Sequence, residues 1–209
     1  MAIEPFPPVT NADEDGLLAV GGDLSAERLL LAYNSGIFPW FSEGQPILWW
    51  SPDPRFVLFP EELLVSKSMQ KVIRRGEFEI TVNMDFASVI EHCAQVKRKG
   101  QRGTWITEDM KRAYIQLHQL GYTMSVEARK NGELVGGLYG VKIIGPKGAV
   151  FCGESMFSLL PNASKAAFIT LLQIQQFAII DCQVYTDHLE SLGACMISRV
   201  EYFIYLPSK

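Results

Sequence analysis

Three strand-like segments follow one another in the second half of the chain, and tight turns join them. They are 122–129, 133–141 and a strand around Glu154, joined by an Asn131-Gly132 turn and a glycine-bounded turn at 145–148. An Asn-Gly pair between apolar runs is a strong hairpin signal. A helix over 162–176, a strand over 178–184 and further short helices follow. This order predicts an α/β (α+β) fold in which helices flank a mixed sheet.

The same order of elements occurs in N-acyltransferases of the GNAT type, which is an analogy of fold alone. A member that uses coenzyme A carries a glycine-rich loop where the central strand meets its helix, because backbone N–H groups there bind the pyrophosphate. In this chain the junction at 158–165 reads Ser-Leu-Leu-Pro-Asn-Ala-Ser-Lys. The missing glycines argue against acetyl-CoA as the donor.

The seven residues at 151–157, Phe-Cys-Gly-Glu-Ser-Met-Phe, place one carboxylate in an apolar strand. Side chains alternate between the two faces of a strand, so Cys152, Glu154 and Met156 are expected to share a face. Two interpretations remain open. Glu154 lies in water on a half-exposed edge strand, or it lies at a pocket wall, where it meets a cation or a proton.

The chain is acidic, with a net charge of −4, but its charge is unevenly distributed. Residues 67–102 include eight basic and four acidic side chains, a net charge of +4, which leaves −8 for the rest. Within this window, Ser66 is placed to cap a helix with cations on one face and apolar residues on the other. A solvated lysine face explains this pattern, and so does a surface for nucleic-acid phosphates. Of the eight, the six candidates for binding phosphate are Lys67, Lys71, Arg74, Arg75, Arg98 and Arg102.

Other features exclude several classes of protein. No apolar run approaches the roughly 18 residues of a membrane span. The N-terminus has neither a basic start nor an apolar signal core, so we expect a cytoplasmic protein. The four cysteines form no C-x-x-C pair, and we expect reduced core thiols without a metal site or cofactor. The tryptophans at 40, 49 and 50 either pack in a core or form a platform for a ligand.

Several longer blocks resemble the leucyl/phenylalanyl-tRNA-protein transferase family, whose members move an amino acid from aminoacyl-tRNA onto the N-terminus of a protein. The blocks occur in family order: Gly-Gly-Asp-Leu-Ser at 21–25, Gly-Ile-Phe-Pro-Trp-Phe at 36–41, Pro-Ile-Leu-Trp-Trp-Ser-Pro-Asp-Pro-Arg at 46–55, Gly-Thr-Trp-Ile-Thr at 103–107, the heptapeptide at 151–157, Asn-Ala-Ser-Lys at 162–165, Asp-Cys-Gln at 181–183 and Ser-Leu-Gly-Ala at 191–194.

The resemblance implies a small N-terminal domain, 1–62, and a GNAT-like transferase domain, 63–209, that binds the 3′ end of a tRNA instead of coenzyme A. It implies transfer of Leu, Phe or Met to the N-terminal Arg or Lys of acceptor proteins, feeding N-degron protein degradation. We expect a monomer. By position, the resemblance assigns the reacting groups to Glu154, Asp181 and Gln183, and the binding of the aminoacyl-adenosine end to Tyr33, Trp40, Trp105, Tyr114, Leu138 and Met156.

Donor choice follows from the same comparison. An ungapped alignment places Leu138 where the family has methionine, and Leu171 and Gln175 where it has pocket phenylalanines. We therefore expect a roomier pocket, in which transfer of Phe is less efficient relative to transfer of Leu. Discrimination should be graded, because a hydrophobic pocket separates single methylene groups by only about 1 to 3 kcal/mol.

The chemistry of aminoacyl transfer suits these residue types. An aminoacyl ester is already activated, and an α-amine of pKa about 8 is roughly one-tenth neutral at pH 7, a cost of about 1.4 kcal/mol. A strong general base is therefore unnecessary. The amide oxygen of Gln183, oriented by Asp181 two residues earlier, is expected to accept a hydrogen bond from the amine. The 2′-hydroxyl of the terminal ribose is an alternative proton relay, and Glu154 is expected to bind the cationic acceptor or to position its amine.

Three functions from different classes remain. The first is an aminoacyl-tRNA-protein transferase, and the second is a CoA-dependent N-acyltransferase, which differs in binding acetyl-CoA. The third is a non-catalytic RNA-binding module, in which Asp181 and Gln183 could be replaced without consequence.

Overall fold

The computed structural model describes residues 4–96 and 104–208. The strands of this part are β1 Leu17–Val20, β2 Phe38–Pro39, β3 Leu48–Trp50, β4 Arg55–Leu58, β5 Glu79–Val82, β6 Thr123–Lys130, β7 Glu133–Gly145, β8 Gly148–Ser158, β9 Ile179–Gln183 and β10 Cys195–Ile197. The α-helices are α1 Ala26–Asn34, α2 Lys67–Arg74, α3 Phe86–Gln95, α4 Glu108–Gln119, α5 Ala163–Ile174, α6 Asp187–Glu190 and α7 Arg199–Phe203. Short 3₁₀ helices cover Val9–Asn11 and Pro60–Glu62.

The strands form one large sheet and one small sheet. The large sheet has seven strands in the order β10-β4-β9-β8-β7-β6-β5, and the small sheet has the order β1-β3-β2. In the large sheet β8 and β9 are parallel, with α5 as their crossover, and the other neighbours are antiparallel. This topology confirms the predicted α/β class with a mixed sheet.

Two apolar cores lie on opposite faces of the large sheet. The first core joins α1, α3, α4 and the small sheet to one face, through residues such as Leu29, Trp49 and Val89. The second joins α2 and α5 to the other face, through residues such as Met69 and Ile169. Helices therefore cover both faces, as the interior strands require.

Helix caps and turns follow the sequence signals. Side chains of Ser25, Ser66, Asp85 and Thr107 each accept a hydrogen bond from the backbone of the first helical turn. The tight turn between β6 and β7 is formed by Asn131-Gly132, with φ values of 54° and 82°. Glycine has no Cβ and adopts such angles without strain, which is why the Asn-Gly signal was reliable.

Strands β4 and β10 were not predicted. They are four and three residues long, and their partners are distant in sequence: Val57 pairs with Asp181, and Phe56 pairs with Met196. Strand β4 belongs to the large sheet although it falls inside the predicted N-terminal domain, 1–62. The N-terminal region therefore contributes directly to the main sheet, and the division at residue 62 stays a prediction.

A β-bulge interrupts β8 at its carboxylate. Tyr139 pairs with Ser155 and Gly140 pairs with Gly153, so Glu154 has no partner residue on β7. The strands approach closely there, since a Cβ on Gly140 would lie 2.3 Å from the carbonyl oxygen of residue 152. An extra residue in one strand changes the direction of the side chains that follow.

The bulge makes the predicted alternation wrong across this strand. Cys152 lies in the first core, whereas Met156 packs against the second. Phe151 and Phe157, which alternation would place together, are likewise in different cores. The alternation rule fails here because it assumes one residue per partner, and that property belongs to the pair of strands.

Candidate active site

A cavity of about 330 Å³ lies beside the C-terminal end of β9. One part of its wall is polar and includes Glu154, Asp181 and Gln183. The remainder is largely apolar and aromatic, with contributions from β2, β7, β8, α5 and the segment after β9. A mostly apolar cavity with few convergent polar groups is the usual form of a small-ligand site.

Glu154 is a buried carboxylate in an interior strand. Its residue is 9% exposed, so the interpretation of a solvated edge-strand glutamate is wrong. Its Oε2 accepts a hydrogen bond from the Tyr114 hydroxyl at 3.0 Å, and its Oε1 accepts one from Gln183 Nε2 at 2.7 Å. Burial raises the pKa of Glu154 to about 7, although the hydroxyl groups of Tyr33 and Tyr114 and the amide of Gln183 oppose the shift. Glu154 therefore titrates near neutral pH.

Asp181 is completely buried and fully hydrogen-bonded. Arg55 donates to it from two nitrogens, at 2.8 Å and 2.7 Å, and Tyr202 donates from its hydroxyl at 2.9 Å. The remaining contact is the backbone N–H of Gln183, 2.9 Å from Asp181 Oδ1. Burial alone would lower the pKa of the Arg55 guanidinium, but the charge of Asp181 more than offsets this and raises it. Such a bidentate buried pair is a rigid anchor.

Gln183 has the left-handed backbone conformation, with φ of 65°. For a residue with a Cβ this conformation costs roughly 1 to 3 kcal/mol, and it persists only where the surroundings impose it. The bond from its N–H to Asp181 helps to impose it here. The amide side chain is held by Glu154 instead. The expectation that Asp181 orients this amide is therefore wrong: Asp181 anchors the backbone, and Glu154 on the neighbouring strand orients the side chain.

The other predicted substrate-binding residues fall into two groups. Trp40, Trp105, Leu138 and Met156 lie on the cavity wall. Tyr33 and Tyr114 are not on that wall, and their residues are 1% and 0% exposed. Their hydroxyl groups are hydrogen-bonded to each other, directly behind Glu154. In this structure the two tyrosines contact the carboxylate rather than the cavity.

The two positions at which the alignment places pocket phenylalanines of the family do not line the cavity of this chain. Leu171 is buried in the second core, and Gln175 caps the C-terminal end of α5. Neither lies on the cavity wall, whereas Phe168 of α5 and Phe151 of β8 do. The cavity therefore has aromatic walls, and the argument for a roomier pocket loses its basis.

His188 on α6 is a cavity residue that the sequence reasoning missed. Its Nε2 atom is buried and has no hydrogen-bond partner among residues 4–96 and 104–208. Burial and the positive charge of Lys165 lower the pKa of His188, so the imidazole is neutral at pH 7. A lone histidine in a short polar helix gave no signal that it would reach the cavity.

The predicted tRNA-binding cations lie on the protein surface or outside the described residues. Lys67, Lys71, Arg74 and Arg75 are exposed along α2, away from the cavity wall, while Met69 of the same helix is buried. The amphipathic character of this helix is confirmed. Arg98 and Arg102 lie outside the described residues, and contact of this surface with tRNA stays a prediction.

The described residues contain no group of three His, Cys, Asp or Glu side chains that could hold a metal ion. All four cysteines belong to the described part of the chain, and none forms a disulfide there. No helix in these two segments is both long and apolar enough to cross a membrane.

Comparison with known proteins places this site in a family. The sequence profile described as leucyl/phenylalanyl-tRNA protein transferase matches residues 57–207, and the profile of that family's N-terminal domain matches residues 22–53. The chain is 56% identical over 207 residues to a leucyl/phenylalanyl-tRNA–protein transferase of Flavobacterium johnsoniae, covering 98% of this chain and 96% of the relative. The corresponding protein of Syntrophus aciditrophicus is 58% identical over 197 residues, covering 93% and 81%.

One solved structure has a more distant similarity to this chain. A GCN5-related N-acetyltransferase from Anabaena variabilis has 11% sequence identity and a TM-score of 0.47, covering 81% of this chain and 41% of that one.

The sequence matches define the chain as an aminoacyltransferase, an enzyme that moves an activated amino acid to an acceptor. More specifically, the chain belongs to the leucyl/phenylalanyl-tRNA protein transferase family, because both profiles and near full-length relatives match it.

Proposed function

We propose that the cavity beside β9 binds the 3′ end of a tRNA charged with Leu, Phe or Met and transfers the amino acid to the N-terminal Arg or Lys of an acceptor protein. The observation that carries the proposal is the Gln183 side chain, held by Glu154 through a 2.7 Å hydrogen bond at the border between the polar and apolar walls. An amide oxygen at this border can meet an incoming amine while the apolar wall holds the donor side chain.

The reaction forms one C–N bond and breaks one ester C–O bond. The neutral α-amine of the acceptor attacks the ester carbonyl, and the ribose oxygen of the tRNA leaves with the proton that the amine loses. Gln183 is too weak a base to keep that proton, so its amide oxygen accepts a hydrogen bond and orients the amine. The proton passes to the ribose oxygen directly or through the neighbouring 2′-hydroxyl. Proximity and orientation supply most of the acceleration.

The apolar wall selects the donor amino acid. Leu138, Met156 and Phe168 present aliphatic, thioether and aromatic surfaces to the cavity. Such a wall favours Leu, Met and Phe side chains, which branch at Cγ or not at all, because they extend into the pocket before they widen. We expect β-branched Ile and Val to fit poorly, since their bulk lies next to the ester.

Trp40 and Trp105 are suited to hold the terminal adenosine of the tRNA. Both are on the cavity wall, and Trp40 is 37% exposed, so its ring can be reached from solvent. Stacking of a base on an aromatic ring contributes about 1 to 3 kcal/mol. The indole of Trp50 donates to the carbonyl oxygen of Trp40 at 2.7 Å and fixes the backbone of this platform.

The tRNA body is expected to bind through its phosphates along the exposed cations of α2. Among the described residues, no ion pair occupies Lys67, Lys71 or Arg74, so these charges are available to phosphate. Arg75 has a long contact of 4.0 Å with Glu77. Family membership further implies that the product enters N-degron protein degradation, with a cytoplasmic monomer as the acting species and no cofactor.

The test is transfer by the purified protein alone. Charged leucyl-tRNA is incubated with a peptide that begins with Arg or Lys, and peptide-bond formation is measured by mass spectrometry. Gln183→Ala should lower kcat/KM by roughly tenfold to a thousandfold, the usual range for losing a hydrogen bond at a reacting group. Gln173→Ala, on the exposed side of α5, is the control and should keep wild-type activity.

Two parallel reactions separate the alternatives. Acetyl-CoA replaces the charged tRNA in one, and a metal chelator is added in the other. Acetylation of the peptide would favour a CoA-dependent enzyme, and loss of transfer with the chelator would refute a mechanism that relies on protein and tRNA groups alone. Undiminished transfer by Gln183→Ala would refute the role of the amide.

A further inference from the structure

A chain of hydrogen bonds reaches Gln183 from two buried tyrosines. Tyr33 lies on α1 and Tyr114 on α4, and their hydroxyl groups are in hydrogen-bond contact. Tyr114 contacts Glu154 Oε2 at 3.0 Å, and Glu154 Oε1 contacts Gln183 Nε2 at 2.7 Å. The chain joins four separate elements, and it ends on the side chain that the proposed function places at the amine.

The direction of every bond follows from the number of protons available. An ionised carboxylate has only lone pairs, so Tyr114 and Gln183 must both donate to Glu154. A phenol has one hydrogen, and Tyr114 has used its hydrogen, so Tyr33 must be the donor in the contact between the tyrosines. Gln183 donates from Nε2, which leaves its Oε1 as the remaining acceptor. No described residue donates to that oxygen.

Protonation of Glu154 would no longer require Gln183 to donate the hydrogen bond between them. A neutral carboxyl group can donate its own hydrogen to the amide oxygen of Gln183, and the amide then turns over. The amide NH2 group would face the incoming amine, and two donors would meet. The orientation of the Gln183 amide therefore depends on a charged Glu154, and the buried phenols stabilise that charge by donating hydrogen bonds to it.

We propose that Tyr33 and Tyr114 are positioning residues for aminoacyl transfer: their one-way hydrogen-bond chain favours the ionised form of Glu154, in which the amide oxygen of Gln183 is turned towards the acceptor amine. This inference rests on the proposed function, because it needs an amine as the group that Gln183 meets. It differs from a direct role in binding adenosine, since neither tyrosine is on the cavity wall.

The ionisable side chains that contact Glu154 do not titrate in the same range. Burial raises the pKa values of Tyr33, Tyr114 and Cys152 well above their ordinary values, so these groups stay neutral. The ring of Tyr139 on β7 packs edge-on against Tyr114. Asp181 on β9, which raises the pKa of Glu154, is paired with Arg55. His188 on the cavity wall has a lowered pKa, and the acceptor amine, of pKa about 8, titrates alike with every variant. A difference in acid midpoint between a tyrosine variant and the wild type is therefore assigned to Glu154 among the described groups.

The test compares Tyr33→Phe and Tyr114→Phe with the wild type from about pH 5.5 to 9. Wild-type kcat should fall on the acid side with a midpoint near the Glu154 pKa of about 7. Each variant loses a hydroxyl group that lowers this pKa, so the midpoint should move up by about half a unit or more. At neutral pH kcat should drop severalfold, while KM for the charged tRNA changes less than about twofold, and activity should recover at alkaline pH.

Tyr205→Phe is the matched control, because its half-buried ring packs on Phe59, remote from Glu154. Its acid midpoint should equal that of the wild type. An equal loss at every pH in Tyr33→Phe and Tyr114→Phe would indicate a merely structural role and overturn the inference. So would a midpoint that does not move.

A second measurement does not depend on activity. The carboxyl ¹³C resonance of Glu154, assigned by its absence in Glu154→Gln, is titrated in the free protein and in both phenylalanine variants. An upward shift of its midpoint supports the hydrogen-bond chain, and an unchanged midpoint overturns it. If the wild type transferred no amino acid at all, the proposed function would fail, while this titration would still decide whether the phenols control the charge of Glu154.

Discussion

Replacing Glu154 by Gln should make the protein more stable at alkaline pH while it loses activity. The pKa of Glu154 is raised from 4.5 to about 7 by burial. At about 1.4 kcal/mol per pKa unit, the ionised form is less stable in the folded than in the unfolded protein by about 3 kcal/mol. Gln removes that charge and keeps the shape of the side chain, as well as its ability to bond with Tyr114 and Gln183.

The sign of the pH dependence follows from proton binding. Because the folded-state pKa is the higher one, the folded protein binds more protons than the unfolded chain between about pH 4.5 and 7. The contribution of Glu154 to stability is therefore largest below about pH 4.5, falls through this window and is lowest above about pH 7. The advantage of Glu154→Gln should be absent near pH 4.5 and reach roughly 2 to 3 kcal/mol near pH 8.5.

The assay is urea unfolding, followed by tryptophan fluorescence, of the wild type and the variant at three pH values. Other ionisable groups contribute equally to both proteins, so the difference between them isolates Glu154. The exposed Glu133→Gln is the control, and its effect should stay within about 0.5 kcal/mol at each pH. A stability difference that does not change with pH, or that favours the wild type at alkaline pH, would refute the assignment of this pKa to Glu154.

Three further outcomes are expected. Arg55→Met leaves a buried carboxylate without its cation, and it should lower the free energy of unfolding in urea by about 3 to 5 kcal/mol. The control Arg112→Met breaks an exposed ion pair and should lower that free energy by less than about 1 kcal/mol. Similar effects of the two substitutions would refute the anchoring role of Arg55. Lys71→Ala with Arg74→Ala should reduce the log-log salt slope of tRNA binding by about two, as titrations in increasing salt would show, and an unchanged slope would identify a solvated face. Phe168→Ala should enlarge the cavity and raise the ratio of Phe to Leu transfer severalfold in parallel assays, and an unchanged ratio would place Phe168 outside the donor pocket.

The elements that the sequence predicts well are those whose cause is local. Ser25 and Thr107 cap helices through bonds to residues three positions away, and Asn131-Gly132 forms its turn from its own backbone preferences. Glu154 was also recognisable as a charged residue in an apolar strand. Each of these signals is complete within a few residues of sequence.

The elements that were missed depend on partners distant in sequence. The β8 bulge at Glu154 is defined by register with β7, and alternation along one strand cannot show it. Arg55 meets Asp181 across 126 positions, so neither residue signals that the pair anchors the backbone of Gln183. The orientation of the Gln183 amide by Glu154 likewise spans two strands. Local pattern thus singled out Glu154, the family resemblance assigned Asp181 and Gln183 to the candidate site, and the two-residue spacing assigned the wrong carboxylate to the amide.

The N-terminal region contributes to the cavity wall and to the contacts of the two buried carboxylates behind it. Trp40 from this region lies on the cavity wall, Tyr33 reaches the carboxylate, and Arg55 anchors Asp181. The left-handed backbone at Gln183 is unfavourable in isolation, and its N–H donates to Asp181, which Arg55 anchors. The arrangement of Glu154, Asp181 and Gln183 is therefore stabilised by contacts from α1 and β4.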